Sequence, residues 1–454
     1  MQKQKLVLIG NGMAGIRTIE EILKLLPNHF EITVFGKEPY PNYNRIQLSK
    51  VLQGDTEIKD ITLNEWQWYE DNGILFYPGE TVTAIDKQAQ VIYTDKGKET
   101  PYDSLIIATG SNPFMLPLPG ADKEGVTAFR DIKDCETMID SSKQYQRAAV
   151  IGGGLLGLEA ARGLLNLGME VDVIHLSDYL MERQLDRTAG DLLRKELESQ
   201  GMNFLMEKQT TEITGKKRVN GVKFADGGSI PTDLVVMAVG IKPNVRLAQD
   251  SGIEVNKGIV VNNHMETNVP NIYAVGECAE HNQMVYGLVA PLYEQGKALA
   301  KHICGMNHQG YTGSVLSTQL KVSGVDVFST GLINETNDTK SIKVFDEWRN
   351  TYKKILVQDD TLKGAVLFGD TKEGTKLLSL IKKGANVEEY LESQQSADDD
   401  ESIVKSMEND EIVCGCNGVS KGEIVEAIQS DGLTSVAEVK GATNASRSCG
   451  TCKT

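Results

Sequence analysis

Short apolar runs that end in glycine and lead into helically spaced apolar residues recur through most of this chain. Leu6-Val7-Leu8-Ile9 runs into Gly10, and Ile16 to Leu26 then follows at helical spacing until Pro27-Asn28 ends it. Glu31-Ile32-Thr33-Val34-Phe35 predicts the next strand. Ala149-Val150-Ile151 repeats the form, with Glu170-Val171-Asp172-Val173-Ile174 as its second strand. Leu105-Ile106-Ile107 and Val235-Val236-Met237 are further apolar runs ending near glycine. Unbroken apolar strands alternating with amphipathic helices imply parallel sheets covered on both faces. From about residue 312 the pattern changes. Residues 325–330, 341–345, 352–357 and 362–368 predict antiparallel strands, and Gly374 to Lys383 a helix after them. Residues 393–411 are polar and acidic, which predicts a flexible linker. Beyond it, Ser420-Lys421-Gly422-Glu423 is a capping-box pattern ahead of Ile424, Val425 and Ile428, and Thr434 to Val439 predicts a second short helix.

Composition adds bounds. A chain of 454 residues suggests two to four domains at roughly 100–200 residues each. The formal charge of −16 argues against nucleic-acid or anionic-membrane partners. No apolar run approaches the roughly 18 residues of a membrane span. The basic start, Met1 to Lys5, leads into a strand rather than a signal-peptide core, so a cytoplasmic protein is expected. Seven cysteines, odd in number and uneven in spacing, do not suggest a secreted disulfide framework.

The chemistry begins at the glycines. Gly10-x-Gly12-x-x-Gly15 lies between a strand and a helix, as does Gly152-x-Gly154-x-x-Gly157. In such a loop one glycine makes the turn, one admits the pyrophosphate and one lets helix pack on strand. The amides of Met13 and Ala14, and of Leu155 in the second copy, would face the anion at a helix N-terminus. Two copies imply two dinucleotides, the economy of a flavoprotein fed by a nicotinamide cofactor. Glu38, after the second strand, is the candidate acid for the adenosine ribose. In the second unit the equivalent strand ends in His175, without an arginine directly after it; Arg183 is eight residues on. This favours NADH and leaves NADPH open.

Other segments carry a resemblance. Residues 39–52, Pro-Tyr-Pro-Asn-Tyr-Asn-Arg-Ile-Gln-Leu-Ser-Lys-Val-Leu, are similar to the P-Y-x-R-x-x-L-S-K segment of rubredoxin reductase-like and nitrite reductase-like FAD enzymes. That resemblance implies that Arg45, Ser49 and Lys50 border the FAD, with Lys50 beside the flavin ring, where a cation stabilises arriving electron density. It places Glu159 facing the nicotinamide and able to pair with Lys50. Ala108-Thr109-Gly110 resembles the superfamily's A-T-G turn, and the stretch from Val239-Gly240 to Pro243-Asn244 its V-G-x-x-P-N loop. Thr267 to Cys278 has the form T-x-x-x-x-I-Y-A-x-G-[DE], which puts Gly276 and Glu277 by the ribityl and pyrophosphate. Pro291 to Ala298, with Glu294 and Gln295, resembles the helix that lies against the isoalloxazine. A C-x-x-x-x-C pair near the first flavin helix is absent, which excludes the redox-disulfide mechanism of the glutathione reductase branch.

Four of the seven cysteines fall in Cys414-Gly415-Cys416 and Cys449-Gly450-Thr451-Cys452. Soft thiolates in these pairs suit an iron–sulfur cluster or zinc, and so few residues need a metal staple to hold a fold. The pattern resembles the bacterioferritin-associated-ferredoxin-like domain, which implies a [2Fe–2S] cluster on Cys414, Cys416, Cys449 and Cys452. The fold class expected is α/β: two Rossmann-like, three-layer dinucleotide-binding domains, an α+β interface domain and a small helical iron–sulfur domain. The expected boundaries are 1–120 with 245–311 for FAD, 121–244 for NAD(P)H, 312–392 for the interface domain and 412–454 for the cluster.

The whole order resembles the N-terminal half of large subunits of assimilatory NAD(P)H nitrite reductases, most closely in Tyr43-Asn44-Arg45, in residues 285–291 and in the terminal cysteines. The resemblance implies an NAD(P)H-oxidising electron-transfer module, with Lys50 and Glu159 as the residues flanking the reacting rings. Its electrons would go to a sirohaem/[4Fe–4S] nitrite-reducing module or small subunit whose cysteine pattern is not in this sequence, and homodimer contacts would fall on the interface domain. A stand-alone rubredoxin or ferredoxin reductase, and a flavin- and cluster-bearing redox sensor, are the rival readings.

Overall fold

The computed structural model describes residues 3–322, 324–395, 407–409, 411–414, 417–447 and 452. The chain forms two compact units, one from residues 1–45, 58–112 and 241–314, the other from 46–57, 113–240 and 315–454.

In the first unit, strand Gln4–Ile9 is the centre of a five-stranded sheet in the order Ile272–Ala274, Ser104–Ile107, Gln4–Ile9, Phe30–Gly36, Leu75–Pro78, with every neighbour parallel. Leu6, Leu8, Leu105, Ile106 and Ile107 are all 0% exposed. Burial on both faces is why these strands need unbroken apolar runs. Helix Met13–Leu25 packs against helix Val289–Ile303. The approach is close because Gly296 lies over Thr18: a Cβ there would stand 2.7 Å from the threonine hydroxyl. A three-stranded antiparallel sheet, Val82–Asp86, Val91–Thr94 and Glu99–Pro101, joins this unit.

The second unit repeats the parallel design, in the order Asn203–Leu205, Glu170–Ile174, Arg147–Ile151, Leu234–Met237, Val126–Ala128. Helix Leu155–Asn166 packs on Arg147–Ile151. Helices Ile132–Ser142 and Arg187–Ser199 start on aspartate caps, Asp131 and Asp186, which satisfy first-turn amides. Further on, a five-stranded antiparallel sheet runs Ser317–Val322, Val325–Gly331, Thr361–Phe368, Thr351–Gln358, Lys340–Asp346. Helix Gly374–Lys383 lies against it and ends at Gly384 in left-handed backbone. The four strands and this helix match the sequence expectation to within about a residue at each end. Strand Ser317–Val322 was not expected, since Ser-Thr-Gln-Leu-Lys-Val carries little apolar signal.

Helix Val387–Gln395 runs into the segment expected to be linker, whose residues 396–406 and 410 lie outside the described residues. The tail begins with strand Ile412–Cys414 paired to Val419–Ser420. Helices Lys421–Asp431 and Val436–Thr443 follow, each opened by a reciprocal capping box, Ser420 with Glu423 and Ser435 with Glu438.

Candidate functional site

Strand Gln4–Ile9 delivers Gly10, at φ +111°, into the turn before helix Met13–Leu25. A Cβ on Gly10 would lie 2.2 Å from the Ala108 carbonyl oxygen, and one on Gly15 would lie 2.8 Å from the Gly10 carbonyl oxygen. A Cβ on Gly12 would meet nothing within 4 Å. The loop is therefore closed against the protein on its inner side and open on its outer side. Gly12 precedes the helix with extended backbone and no side-chain cap. The first-turn amides of Met13, Ala14 and Gly15 are thus available to an anion, which is the fit a dinucleotide pyrophosphate requires.

The surrounding turns are pinned by hydrogen bonds within the same unit. Thr109 Oγ1 donates to the Asn244 carbonyl at 2.7 Å, and the Asn244 N–H donates to the Gly110 carbonyl at 2.9 Å. Ser111 Oγ donates to Glu277 Oε2 at 2.7 Å. The Gly276 N–H donates to Gln295 Oε1 at 3.0 Å. Gln295 is fully buried, and its Nε2 has no hydrogen-bond partner among the described residues. Glu38 accepts from the Tyr43 hydroxyl at 2.7 Å and pairs with Arg45. Burial pulls the Arg45 guanidinium down, but Tyr43, Glu38 and Glu277 outweigh it and hold it above its ordinary value. Glu294 accepts from the Ser314 hydroxyl, which is bonded in turn to the Tyr311 hydroxyl at 2.7 Å.

The second loop has the same steric signature. Gly152 sits at φ +121°, and a Cβ there would lie 2.3 Å from the Ala238 carbonyl oxygen; one on Gly157 would lie 1.9 Å from the Gly152 carbonyl oxygen. Gly154 again faces open space and leaves helix Leu155–Asn166 without a side-chain cap. Gly240 is in left-handed backbone with open space around it. His175 differs from its expected place at the ribose. It is 7% exposed and turned beneath the loop, where Nδ1 accepts the Gly153 N–H at 3.0 Å. Nε2 lies 3.1 Å from both the Tyr179 carbonyl and Glu182 Oε2. An accepting Nδ1 puts the proton of the neutral ring on Nε2, so the imidazole bridges the loop to residues 179–182. Sequence could not reveal this, because Tyr179 and Glu182 have no spacing signature.

Helix Leu48–Gln53 carries Ser49 and Lys50 and packs on helix Leu155–Asn166. The contact passes through Gly163, where a Cβ would lie 2.4 Å from Leu52 Cγ. This brings Ser49 into hydrogen bond with Glu159. Burial of the carboxyl pushes Glu159 up to about 8, against the Ser49 hydrogen bond, which acts downward. Lys50 is half-buried on the same short helix.

In the tail, Cys414 is 1% exposed and its Sγ accepts the Ser446 N–H at 3.3 Å. Cys452 packs against the same small apolar group as Cys414, Val419, Ala445 and Ile424. A sheltered sulfur that accepts an amide suits a metal-bound thiolate. Cys416 and Cys449 lie outside the described residues. One contact was not anticipated. Gln47, 7% exposed, donates from Nε2 to the Arg447 carbonyl at 2.6 Å. The residue after the one that bonds Cys414 therefore holds the segment that bears Ser49 and Lys50.

Two dinucleotide loops of one design, each opening an uncapped helix beside a parallel sheet, with the Ala108–Gly110 and Gly276–Glu277 turns around the first, define a flavin-dependent oxidoreductase that uses NAD(P)H. The chain belongs to the pyridine nucleotide-disulphide oxidoreductase family, which it matches over residues 4–296. Residues 317–385 match the rubredoxin NAD+ reductase C-terminal domain and residues 412–454 the BFD-like [2Fe-2S] binding domain. FAD, NAD(P)H and a [2Fe–2S] cluster are the cofactors of this architecture. The chain is 62% identical over 457 residues to a nitrite reductase [NAD(P)H] of Bacillus subtilis (strain 168), covering 100% of this chain and 57% of that protein. It is 53% identical over 457 residues to an assimilatory nitrate reductase electron transfer subunit of the same organism, covering 100% of this chain and 59% of that one. It thus spans little more than half the length of these curated relatives. Among solved structures, NADH:rubredoxin oxidoreductase from Clostridium acetobutylicum superposes with a TM-score of 0.73 at 28% identity, covering 86% of this chain and 100% of that one. Among the described residues no helix is long and apolar enough to cross a membrane.

Proposed function

We propose that this chain is the electron-delivering part of an assimilatory nitrite reductase. It would oxidise NAD(P)H, NADH by preference, in the cytoplasm. Electrons would leave through the cysteine domain for a sirohaem/[4Fe–4S] module or small subunit that reduces nitrite to ammonium. Bound flavin, nicotinamide and iron–sulfur centre supply the redox chemistry; the chain supplies place and charge. The amides of Met13, Ala14 and Gly15, and those of Leu155 to Gly157, hold pyrophosphates at two helix starts. Glu38 keeps acceptor capacity for a ribose beside its pairing with Arg45. Gly276, Glu277, Glu294 and Gln295 border the flavin, and Lys50 brings a cation to it. Glu159, pushed up to about 8, holds a proton near neutral pH, so it adds no negative charge beside Ser49. Cys414, Cys416, Cys449 and Cys452 hold the cluster. The interface domain, residues 312–392, takes the dimer contacts.

The observation that supports this reading best is the link from Gln47 to the Arg447 carbonyl, next to the Ser446 N–H on Cys414. It ties a candidate cluster ligand to the segment carrying Ser49 and Lys50. The test is an anaerobic titration with NADH, followed by absorbance and EPR. Flavin bleaching accompanied by a one-electron cluster signal is expected, with iron and sulfide in the protein. Cys414→Ser should lose the cluster signal and keep the bleaching. A cluster that stays oxidised beside fully reduced flavin, or zinc in place of iron, would refute the reading. The likeness to NADH:rubredoxin oxidoreductase favours one alternative, a reductase for a separate rubredoxin or ferredoxin. Unchanged turnover of such a carrier by Cys414→Ser would select it.

A further inference from the structure

Three of the chain's six histidines meet in the first unit. His264 lies in the turn after strand Ile259–Val261, His302 in the last turn of helix Val289–Ile303, and His308 in the loop beyond. One ring nitrogen of each lies within 4.8 Å of the other two. The His264 and His302 rings stack with centroids 4.7 Å apart, and His308 stands edge-on to them at 5.0 and 6.3 Å. None of these residues belongs to a glycine loop or to the cysteine domain.

We propose that His264, His302 and His308 bind a divalent transition-metal ion, of which zinc is the representative. The first ground is convergence, since three imidazoles within a few ångströms are a ligand set of the kind zinc and its neighbours take. A second, independent ground is the state of the ring nitrogens. His264 Nδ1 and His308 Nε2 are buried atoms with no hydrogen-bond partner among the described residues. Buried polar atoms are rarely left so, and two in one cluster point to a shared partner. A proton on each ring is a poor answer. Burial holds His302 and His308 below their ordinary value, and the neighbouring histidines add to this. Neutral imidazole is the form that ligates. Glu266 acts on His302 with favourable negative charge, while Lys301 acts on His308 in the opposite sense.

Binding asks for a small rearrangement. Nitrogens sharing one tetrahedral zinc at roughly 2.0–2.1 Å stand about 3.4 Å apart, so the rings must draw together. His302 and His308 are half-buried, one at a helix end and one on a loop. His308 Nδ1 accepts the Gly310 N–H at 3.0 Å. Ligation through Nε2 moves the ring proton to Nδ1 and gives up that one hydrogen bond for a metal–nitrogen bond. Three protein nitrogens leave a fourth position for water.

The experiment uses the full chain with its flavin and iron in place, and zinc as the probe. Isothermal titration of the wild-type protein is compared with His302→Gln, His308→Gln and the double variant. Any zinc taken by cysteines is common to all four, so only the difference counts. The wild type should bind one equivalent more than the double variant. Each single variant should bind at least about tenfold more weakly, as losing a ligand costs no less than losing a supporting partner. Equal stoichiometry and affinity in wild type and double variant would overturn the proposal. Should the double variant lose its flavin, the wild type alone decides. Zinc must then slow modification of His264, His302 and His308 by diethylpyrocarbonate, mapped by mass spectrometry, and unchanged rates at all three would overturn it.

Discussion

Glu159→Gln isolates one charge at the contact between helices Leu48–Gln53 and Leu155–Asn166. The glutamine keeps the size of the side chain and a hydrogen bond with Ser49 but does not titrate. Burial lifts the native carboxyl from an ordinary 4.5 to about 8. At about 1.36 kcal/mol per pH unit this amounts to a ceiling of about 5 kcal/mol against the charged form. Water reaches part of this half-buried side chain, which brings the expected effect to about 2–3 kcal/mol. The folded chain binds this proton more tightly than the unfolded chain does. Its contribution to stability is therefore complete below pH 4.5 and falls as pH rises through about 8. The glutamine variant lacks this dependence, so its stability relative to wild type should increase by that amount between about pH 5 and pH 9. Scanning calorimetry of both proteins across that range measures the difference. Infrared difference spectroscopy supplies the direct readout: a protonated carboxyl C=O stretch present at pH 7 in wild type, absent from the variant, and lost as pH rises through about 8. A constant stability difference together with an ionised carboxylate at pH 6 would refute the reasoning.

Gly157→Ala places a methyl 1.9 Å from the Gly152 carbonyl oxygen, so it should weaken NADH binding by at least about tenfold and leave the flavin content unchanged, as fluorescence titration and a flavin-to-protein ratio would register. Lys354→Met removes the partner of Asp186 from a pair in which the two residues are 4% and 5% exposed and 3.0 Å apart. A buried carboxylate left with the Tyr352 hydroxyl and the Ala189 N–H but no cation should cost about 3–5 kcal/mol in urea unfolding, and adding Asp186→Asn should recover part of it. Gln47→Leu should raise hydrogen exchange at the amides of residues 446–447 while the iron content stays at the wild-type value; unchanged exchange would mean that the Arg447 contact does not hold the tail.

What the sequence disclosed follows from the range of each interaction. The glycine loops were legible because their geometry is local: Gly10 to Gly15 and Gly152 to Gly157 each contain their own turn and helix start. The Ser420–Glu423 box was legible for the same reason. The sheet strands at 325–331 and 361–368 announced themselves by apolar content, whereas Ser317–Val322, polar and short, did not. Interactions across long separations left no trace in spacing. The bridging role of His175 depends on Gly153 and Glu182, the Gln47 contact spans most of the chain, and His264 meets the His302 ring from a turn well separated from it in sequence. Glu159 was legible as a helix-start acid, but its raised protonation depended on a neighbouring helix more than a hundred residues upstream.

The parallel sheet of the first unit has a consequence for synthesis on the ribosome. Strand Ser104–Ile107 takes its outer neighbour, Ile272–Ala274, from a part of the chain translated far later. At about 5–20 residues per second, on the order of ten seconds or more separates the emergence of Ile107 from that of Ile272. During that interval an apolar strand presents an unpaired edge to its surroundings. Nascent chains stalled before residue 272 should therefore recruit chaperones and aggregate when released, and chains released after that strand has emerged should not.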